Sequence, residues 1–484
     1  MRTHSGPRKR KGSGVAILGA LACSLALPVS AQRQPTVQEL LQRLEALERR
    51  VGEAPATVAV EGDSAPATLG DLDQRLRILE RRLELQQEEA ATRAKEAPVI
   101  AVNDKGASLK SANGDYEIKI RGLIQGDGRF FSSGVPSGTY DTFLLRMARP
   151  TIEGTLGKWI GFRFTPEFAG DSASIVDAYA ELKFSPAATV RLGKFTSPVG
   201  LERLQSSSAL SDIERALPSE LAPNRDIGVQ LQGELAGSKV SYAIGVFNGT
   251  VDGRDAVTTN PDDEFEVAGR LFVEPFKDGA GFWSGLGFGI GGSVGDTAGT
   301  GNNILPRYRT PGQVQFFNYR SAVAADGKRT RWSPQGYFYR NQFGLLAEYI
   351  ASKQELQVGA TSAELENTAW QATASYVLTG EDASYRGVVK PSKPFSPGKG
   401  GWGAWELVGR YGELEIDDGA FPLFADPVVS ARKAKAWTLG VNWYLTSNLK
   451  LVVNYLDTQF EGGAVAGADR DDEKAVFSRL QVAF

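Results

Sequence analysis

Apolar and polar residues alternate at every second position through most of this chain, and that alternation constrains the fold more than any other feature. In the segment 476–484, Val476, Leu480, Val482 and Phe484 lie on one face of an extended chain, and Arg479 and Gln481 on the other. Period two marks a β-strand. A strand apolar on one side and polar on the other suits a wall between lipid and water. The pattern recurs from Asp115 onward: Tyr116, Ile118, Ile120, Gly122 and Ile124 alternate with Glu117, Lys119, Arg121, Leu123 and Gln125. Phe162 and Phe164 flank Arg163, and Val176, Ala178, Ala180, Leu182 and Phe184 alternate with Asp177, Tyr179, Glu181 and Lys183. Trp370 to Leu378 and Trp437 to Leu445 each present a further apolar face. Short turns such as Thr446-Ser447-Asn448 join some strands, while the Gly/Asp/Asn-rich stretches 251–263, 293–304 and 459–472 read as exposed loops. About 370 residues at roughly 23 per strand and loop give ~16 strands, within the even-numbered series of membrane barrels. The expectation is an all-β transmembrane barrel of about 16 antiparallel strands, too wide for side chains to fill and therefore enclosing water.

Residues 1–31 read as an export signal. Arg2, Arg8, Lys9, Arg10 and Lys11 form a basic start, Val15 to Leu27 an apolar stretch, and Val29-Ser30-Ala31 a small-residue cleavage site before Gln32. The apolar stretch is too short to cross a bilayer as a helix. Ala20-Leu21-Ala22-Cys23 faintly resembles a lipidation site, but the apolar run continues past Cys23 to the better cleavage site. A soluble β-sandwich would also alternate, yet it accounts neither for this signal nor for the closing Phe484.

The chain has one Cys and one His, and both Cys23 and His4 fall inside the expected signal. A processed chain would hold no His-based triad, no His/Cys metal site, no thiol nucleophile and no disulfide. No cofactor or metal is expected. Removing five basic residues from 54 leaves 49 against 57 acidic ones, a net charge of about −8, which gives no support for nucleic-acid binding.

Between Gln32 and about residue 100 the period becomes helical. Val37, Leu40, Leu44, Leu47 and Val51 follow spacings of 3 and 4, and Leu69, Leu72, Leu76, Leu79 and Leu83 repeat them. Pro55 and Pro66 interrupt the run, so two short heptad blocks are expected. Helices this short form by associating. Self-association into a coiled coil is favoured over packing on the same chain, because no soluble core is evident. The domain reading is signal 1–31, periplasmic coiled-coil and linker segment 32–100, and barrel 101–484.

A family resemblance rests on many short stretches in order. Asp177-Ala178-Tyr179-Ala180-Glu181-Leu182, Val190-Arg191-Leu192-Gly193-Lys194-Phe195, Pro198-Val199-Gly200-Leu201-Glu202-Arg203 and Ile213-Glu214-Arg215 resemble the phosphate-selective porins O and P. So do Arg225 to Gln230, Gly245 to Gly249, Trp405 to Tyr411 and Leu439 to Tyr444. The closing strand ending in Phe484 is similar to the last strand of bacterial outer-membrane barrels, where that residue helps the assembly machinery recognise its client. The resemblance implies a trimeric, 16-stranded outer-membrane barrel passing phosphate, pyrophosphate or polyphosphate, and some members of that family also carry an N-terminal coiled coil. The trimer comes from the resemblance, not from the heptads.

In a narrow pore an anion sheds part of its hydration, and lumenal Arg or Lys must replace it. Arg suits phosphate because its fork donates two parallel hydrogen bonds. By face, Lys119, Arg121, Arg149, Arg163, Lys183, Arg191, Arg410 and Arg479 point inward, as do Glu117, Glu153, Glu167, Glu181 and Glu406. Arg307 and Arg309 share one face of a segment that resembles the family's Arg-rich strand. Residues 196–225 form a long connection without clear alternation, the kind that carries function. The resemblance implies that this loop folds into the lumen, with Arg203 at the position of the family's constriction Lys and Asp177 facing it. The family's adjacent Arg pair is matched by Arg146-Met147, and an Arg of its first strand by Leu123, with Arg121 two residues away. Parity flips between Leu145 and Ala148, predicting a bulge near Met147.

Two patterns carry little. Gly287 to Gly292 fits G-x-G-x-x-G, but Leu286, Phe288 and Ile290 alternate with glycines as a strand does. Asp262, Asp263, Glu264 and Asp469, Asp471, Asp472, Glu473 read as solvated loop charge, with divalent-cation bridging as the alternative. The functional reading is an outer-membrane diffusion channel for small anions. Its rivals are a porin of other or general selectivity, a barrel enzyme (disfavoured by the missing His) and an envelope anchor with an incidental pore. A chain lacking 32–100 is expected to keep its single-channel conductance while the separate 32–100 peptide self-associates by sedimentation; loss of conductance would tie the segment to the pore itself.

Overall fold

The computed structural model describes residues 37–51, 69–136, 139–387 and 389–484. The expected export signal lies outside the described residues. The chain divides between Lys95 and Glu96 into two compact units, a few residues before the boundary expected at 100.

In the first unit, α1 spans Val37–Val51 and α2 spans Leu69–Glu96. The second helix continues well past Leu83, where the heptad spacing stops. Leu44 of α1 and Leu76 and Leu79 of α2 share one buried cluster, with Leu47 packed against it. The heptad leucines therefore also find partners within one chain.

In the second unit, β1 (Val99–Asn103) and β2 (Gly106–Lys110) form a hairpin. The barrel begins with β3 (Glu117–Ser133), β4 (Thr142–Leu156), β5 (Ile160–Glu167), β6 (Ser174–Ser185) and β7 (Ala188–Thr196). It continues through β8 (Arg225–Leu235), β9 (Val240–Phe247), β10 (Glu266–Val273) and β11 (Leu286–Thr300). A small hairpin, β12 (Arg307–Arg309) and β13 (Gln315–Asn318), pairs only with itself. The wall resumes with β14 (Ala324–Arg340), β15 (Phe343–Val358), β16 (Thr361–Val377) and β17 (Ala404–Glu415). It ends with β18 (Ala431–Tyr444), β19 (Leu449–Gly462) and β20 (Glu473–Ala483).

Sixteen antiparallel strands close on themselves, and β1 and β2 extend the same sheet to eighteen. Closure runs from Lys474 opposite Ser133 to Ala483 opposite Leu123, which leaves the barrel no open edge. The first residues of β3 reach beyond this seam and pair with β2 instead. Outward side chains such as Ile124, Ile152, Phe164, Leu271, Leu439 and Leu480 stay exposed, so an apolar belt surrounds a polar interior.

The bulge expected near Met147 is present, and three other local readings need adjusting. The parity flip in β4 is a bulge centred on Arg146: Gln125 faces Met147, Gly126 faces Leu145, and Arg146 has no opposite residue. A second bulge leaves Val176 between Asp177 and Ile175, and turns it into the lumen rather than outward. Glu473, grouped above with exposed loop acids, opens β20, is almost fully buried, and accepts a hydrogen bond from Thr310 Oγ1 at 3.0 Å. The stretches 293–300 and 459–462 belong to β11 and β19 rather than to loops.

The interior on the β15–β19 side is filled. Leu217 and Leu221 from the loop after β7, with Tyr308, Phe316 and Phe317 from the β12–β13 hairpin, pack against Ile350, Leu365, Ala369, Leu414 and Phe460. Arg307 and Arg309 thus sit on an inserted hairpin, not on a wall strand.

At the seam, Phe484 exchanges both backbone hydrogen bonds with Gly122, at 2.8 and 3.0 Å. Its ring covers Gly122 so closely that an added Cβ would lie 2.4 Å from Phe484 Cζ. Overpacking of this kind costs about 1–3 kcal/mol. Gly122→Val is therefore expected to lower the temperature at which the folded barrel converts to the unfolded band on a gel, and adding Phe484→Ala to restore part of it; an unchanged temperature in the single variant would mean the contact is slack.

Candidate functional site in the lumen

The loop 197–224, between β7 and β8, lies inside the barrel. Val199, Leu201, Leu217, Leu221 and Ala222 are all buried. Gly291 of β11 makes room for it, because a Cβ there would stand 2.9 Å from Pro198 O.

Side chains from eight strands hold this loop. Glu214 accepts from Arg146 Nε at 2.7 Å, from Arg146 Nη2 at 3.1 Å and from Arg129 Nη2 at 2.5 Å, and Arg479 lies 3.4 Å away. Arg479 also pairs with Asp127 at 2.6 Å. Arg410 donates to the Glu214 carbonyl at 2.9 Å and lies within 3.5 Å of Glu202 and 3.4 Å of Asp212. Leu201 N donates to Glu348 at 2.6 Å, Gln371 donates to the same carboxylate at 2.6 Å, and Lys450, Asn442 and Asn454 bind the stretch 210–213. The bulge at Arg146 supplies one of these anchors, since it aims that guanidinium at Glu214.

The loop's own charges respond to this setting. Burial alone would raise the Glu214 carboxyl, but Arg146, Arg479 and Arg129 hold it well below the ordinary carboxylate range. Burial pushes Asp212 up to about 6 despite Arg410. Burial, with Arg203 nearby, brings Arg215 down to about 9. Arg203 is lowered too, first by burial, with Arg225 adding repulsion and Glu220 opposing it.

The other half of the lumen, along β3–β10, stays open as a cavity of about 1180 Å³. Its lining includes nine basic residues, Lys105, Arg121, Arg149, Arg163, Arg191, Arg203, Arg225, Arg270 and Lys390, against four acidic ones, Asp104, Glu153, Asp177 and Glu234. Most wall arginines share a carboxylate. Arg121 and Arg163 both bind Glu153, at 3.0 and 2.5 Å. Arg191 binds Glu181 at 2.7 Å, Arg149 binds Glu167 at 2.6 Å, and Arg225 approaches Asp177 at 3.4 Å. Among the described ion pairs, none involves Arg203 or Arg270. Arg203 donates to the Ser219 carbonyl and its Nε has no hydrogen-bond partner. Arg270 donates to Gln335 at 3.1 Å and lies 4.3 Å over the Phe272 ring.

Of the residues proposed from sequence, Arg121, Arg149, Asp177 and Arg203 come together around this cavity. Arg146 lies behind the loop as its tether. Arg307 and Arg309 lie elsewhere: the Arg307 carbonyl accepts from Arg254 at 2.7 Å in a smaller cleft, and Arg309 N donates to Glu220 at 3.0 Å. Arg410 and Arg479 do point inward, but loop anchoring occupies them. Sequence reasoning missed Arg270, although Leu271 beside it faces out and the alternation in β10 places Arg270 inside. It also missed Lys390, which sits in the connection 378–403 with no periodicity to mark it.

A closed barrel of sixteen strands, with an apolar belt, a loop folded into the lumen and a charged cavity beside it, is a porin, an outer-membrane channel. The chain belongs to the phosphate-selective porin O and P family, whose family model matches residues 118–484. Porin O of Pseudomonas aeruginosa is 25% identical over 419 residues, covering 80% of this chain and 93% of that protein. Among solved structures, the outer-membrane channel DcaP of Acinetobacter baumannii is similar in fold, with a TM-score of 0.50, 13% identity, and coverage of 78% of this chain and 99% of that one. An anion-selective porin from Comamonas acidovorans gives 0.48 at 13% identity over 76% of this chain and 100% of that one.

Removing one partner of a buried ion pair costs about 3–5 kcal/mol, so Glu214→Gln is expected to free the loop and give wider, noisier single channels. Because Glu214 is held low, its contribution is complete at neutral pH and is lost only as pH falls below the ordinary carboxylate range. Asp212 acts in the opposite sense: its contribution is complete below its ordinary 3.8 and is lost as pH rises through about 6. Wild-type channels should therefore stay quiet from about pH 7 to about pH 5, with Glu214→Gln noisy at both; quiet Glu214→Gln channels would remove Glu214 as the anchor.

Proposed function

We propose that this porin passes small anions, with phosphate, pyrophosphate and polyphosphate as its class of solute, and that Arg203 with Arg270, Arg225, Arg149 and Arg121 carries the selection, faced by Asp177. The observation behind this reading is the surplus of nine basic over four acidic residues around the cavity. Where two guanidiniums share one carboxylate, as at Glu153, a net positive charge remains for a passing oxyanion. Arg203 and Arg270 add cations that enter no ion pair among the described residues. Arg146 supports the site indirectly by holding the loop, and Arg307 and Arg309, on the hairpin against Glu220 and Arg254, would meet anions before or after the constriction. The family description, phosphate-selective porin O and P, agrees with phosphate as a solute.

The same proposal includes a homotrimer in outer-membrane lipid, an export signal at 1–31, and a periplasmic coiled coil within 32–100. The heptad leucines support the last of these. Leu123 and Met147, where the resemblance implies Arg, argue for modest phosphate preference. Conduction itself requires binding weak enough for release.

In a partly dehydrated lumen, a charge pair at 4 Å is worth about 4 kcal/mol at an effective dielectric of 20, against about 1 in bulk water, before desolvation costs. Arg203→Glu should therefore act far more strongly than neutralising a surface Arg. In planar bilayers under a KCl gradient, the wild-type reversal potential should show anion preference, added phosphate should block chloride current, and Arg203→Glu should shift the potential toward cations. Cation preference in the wild type would contradict the anion channel; anion preference indifferent to Arg203→Glu would remove that residue from the site.

A further inference from the structure

The barrel end that carries β1 and Phe484 has mostly short connections, such as 157–159, 186–187, 341–342 and 445–448. The connection between β16 and β17, residues 378–403, is much longer and folds back against the inner wall. Ala383 N donates to Asn341 O at 2.7 Å. Ala383 and Val389 are buried with Val377, Ala404 and Tyr444. Glu381 closes the base of the segment by accepting from both the backbone and the hydroxyl of Ser392 at 2.8 Å.

Its tip meets the lumenal loop arriving from the opposite end. Tyr385 Oη donates to the Leu201 carbonyl at 2.8 Å, and Gln205 Nε2 donates to the Tyr385 carbonyl at 3.0 Å. The Tyr385 ring stacks on Tyr337 with centroids 4.8 Å apart and planes 23° apart, and it packs beside Leu201, Phe272 and Leu346. Among the described residues, both hydrogen bonds joining segment and loop run through Tyr385, and they bracket Arg203. The anchors on Glu214, Asp212 and residues 210–213 grip the middle of the loop. Besides Tyr385, the start of the loop is held at Leu201 N by Glu348, at the Glu202 carboxylate by Gln371 and Arg410, and at the Gln205 carbonyl by Arg215. Gly387 and Lys390, further along the segment, line the same cavity as Arg203.

We propose that Tyr385 is a positioning residue for anion selection: from the turn side of the channel it fixes Leu201 to Gln205, and so fixes where Arg203 stands and how wide the path beside it is. This rests on the anion-channel reading for its consequence, but not for its geometry. The phenol supplies two separable restraints, the stacked ring that holds the segment against Tyr337 and the hydroxyl that holds the loop. Without the phenol, the Glu348 contact at Leu201 N and the Gln371 and Arg410 contacts at Glu202 would remain, but Arg203 would be held more loosely and the channel would visit wider substates more often.

The test is single-channel recording of the full-length protein as wild type, Tyr385→Phe and Tyr385→Ala, with the reversal potential in a KCl gradient and heat-modified gel migration on each. Tyr385→Phe keeps the ring and loses one net hydrogen bond, so occupancy of wide substates should rise about fivefold. Tyr385→Ala loses both restraints and should show a larger mean conductance and weaker anion preference. Gel migration should be unchanged in both, because the sixteen-strand wall is untouched. Wild-type substates, conductance and reversal potential in both variants would overturn the proposal. A rise in substates confined to variants whose gel migration also changes would overturn it too, by assigning Tyr385 a merely structural role. The substate count judges the positioning whatever the sign of selectivity, whereas cation preference in the wild type would sink the anion reading alone.

Discussion

Glu214 is the contact on which the lumen depends. It is buried inside a water-filled barrel, where an unpaired carboxylate would be costly, and Arg129, Arg146 and Arg479 converge on it from three wall strands. A sixteen-strand wall is too wide for its own side chains to fill. Some part of the chain has to enter, and a loop in such a place needs strong, directional fastening. Charge-assisted hydrogen bonds supply it. The Leu217–Leu221 stretch and the β12–β13 hairpin then fill one side of the lumen with an apolar core, and what is left open is the side lined by arginines.

This divides the lumenal arginines into two groups with different work. Those that reach the loop, Arg129, Arg146, Arg410 and Arg479, have their charge taken up by Glu214, Asp127, Glu202 and Asp212. Those facing the cavity share fewer carboxylates than they could bind, and two share none. Inward direction alone therefore does not make an arginine part of an anion path. What matters is whether it faces the open cavity, where basic residues outnumber acidic ones, or is taken up in holding the loop.

Much of this was legible in the sequence. Period two fixed the wall and its inward faces because lipid tolerates nothing else on the outside. The flip at Leu145–Ala148 disclosed the Arg146 bulge because one extra residue reverses every later side chain. The destination of that side chain was not legible: Arg146 meets Glu214 across 68 positions of sequence, through a loop with no period of its own. The β12–β13 hairpin misled for a related reason. Arg307 and Arg309 alternate as on any strand, and only the surrounding aromatic core shows that they ride on an insertion. The helical segment was readable as heptads, yet its length was not, because α2 runs on through polar residues to Glu96.

On the proposed reading, anions travel along the open side of the lumen, past Arg203 and Arg270, and not past the tethered arginines. Anomalous diffraction from crystals soaked in bromide and, separately, in rubidium tests this directly. Bromide peaks are expected beside Arg203, Arg225 and Arg270, with no rubidium at those positions. Rubidium in that cavity, or bromide clustered instead at Arg146 and Arg479, would contradict it.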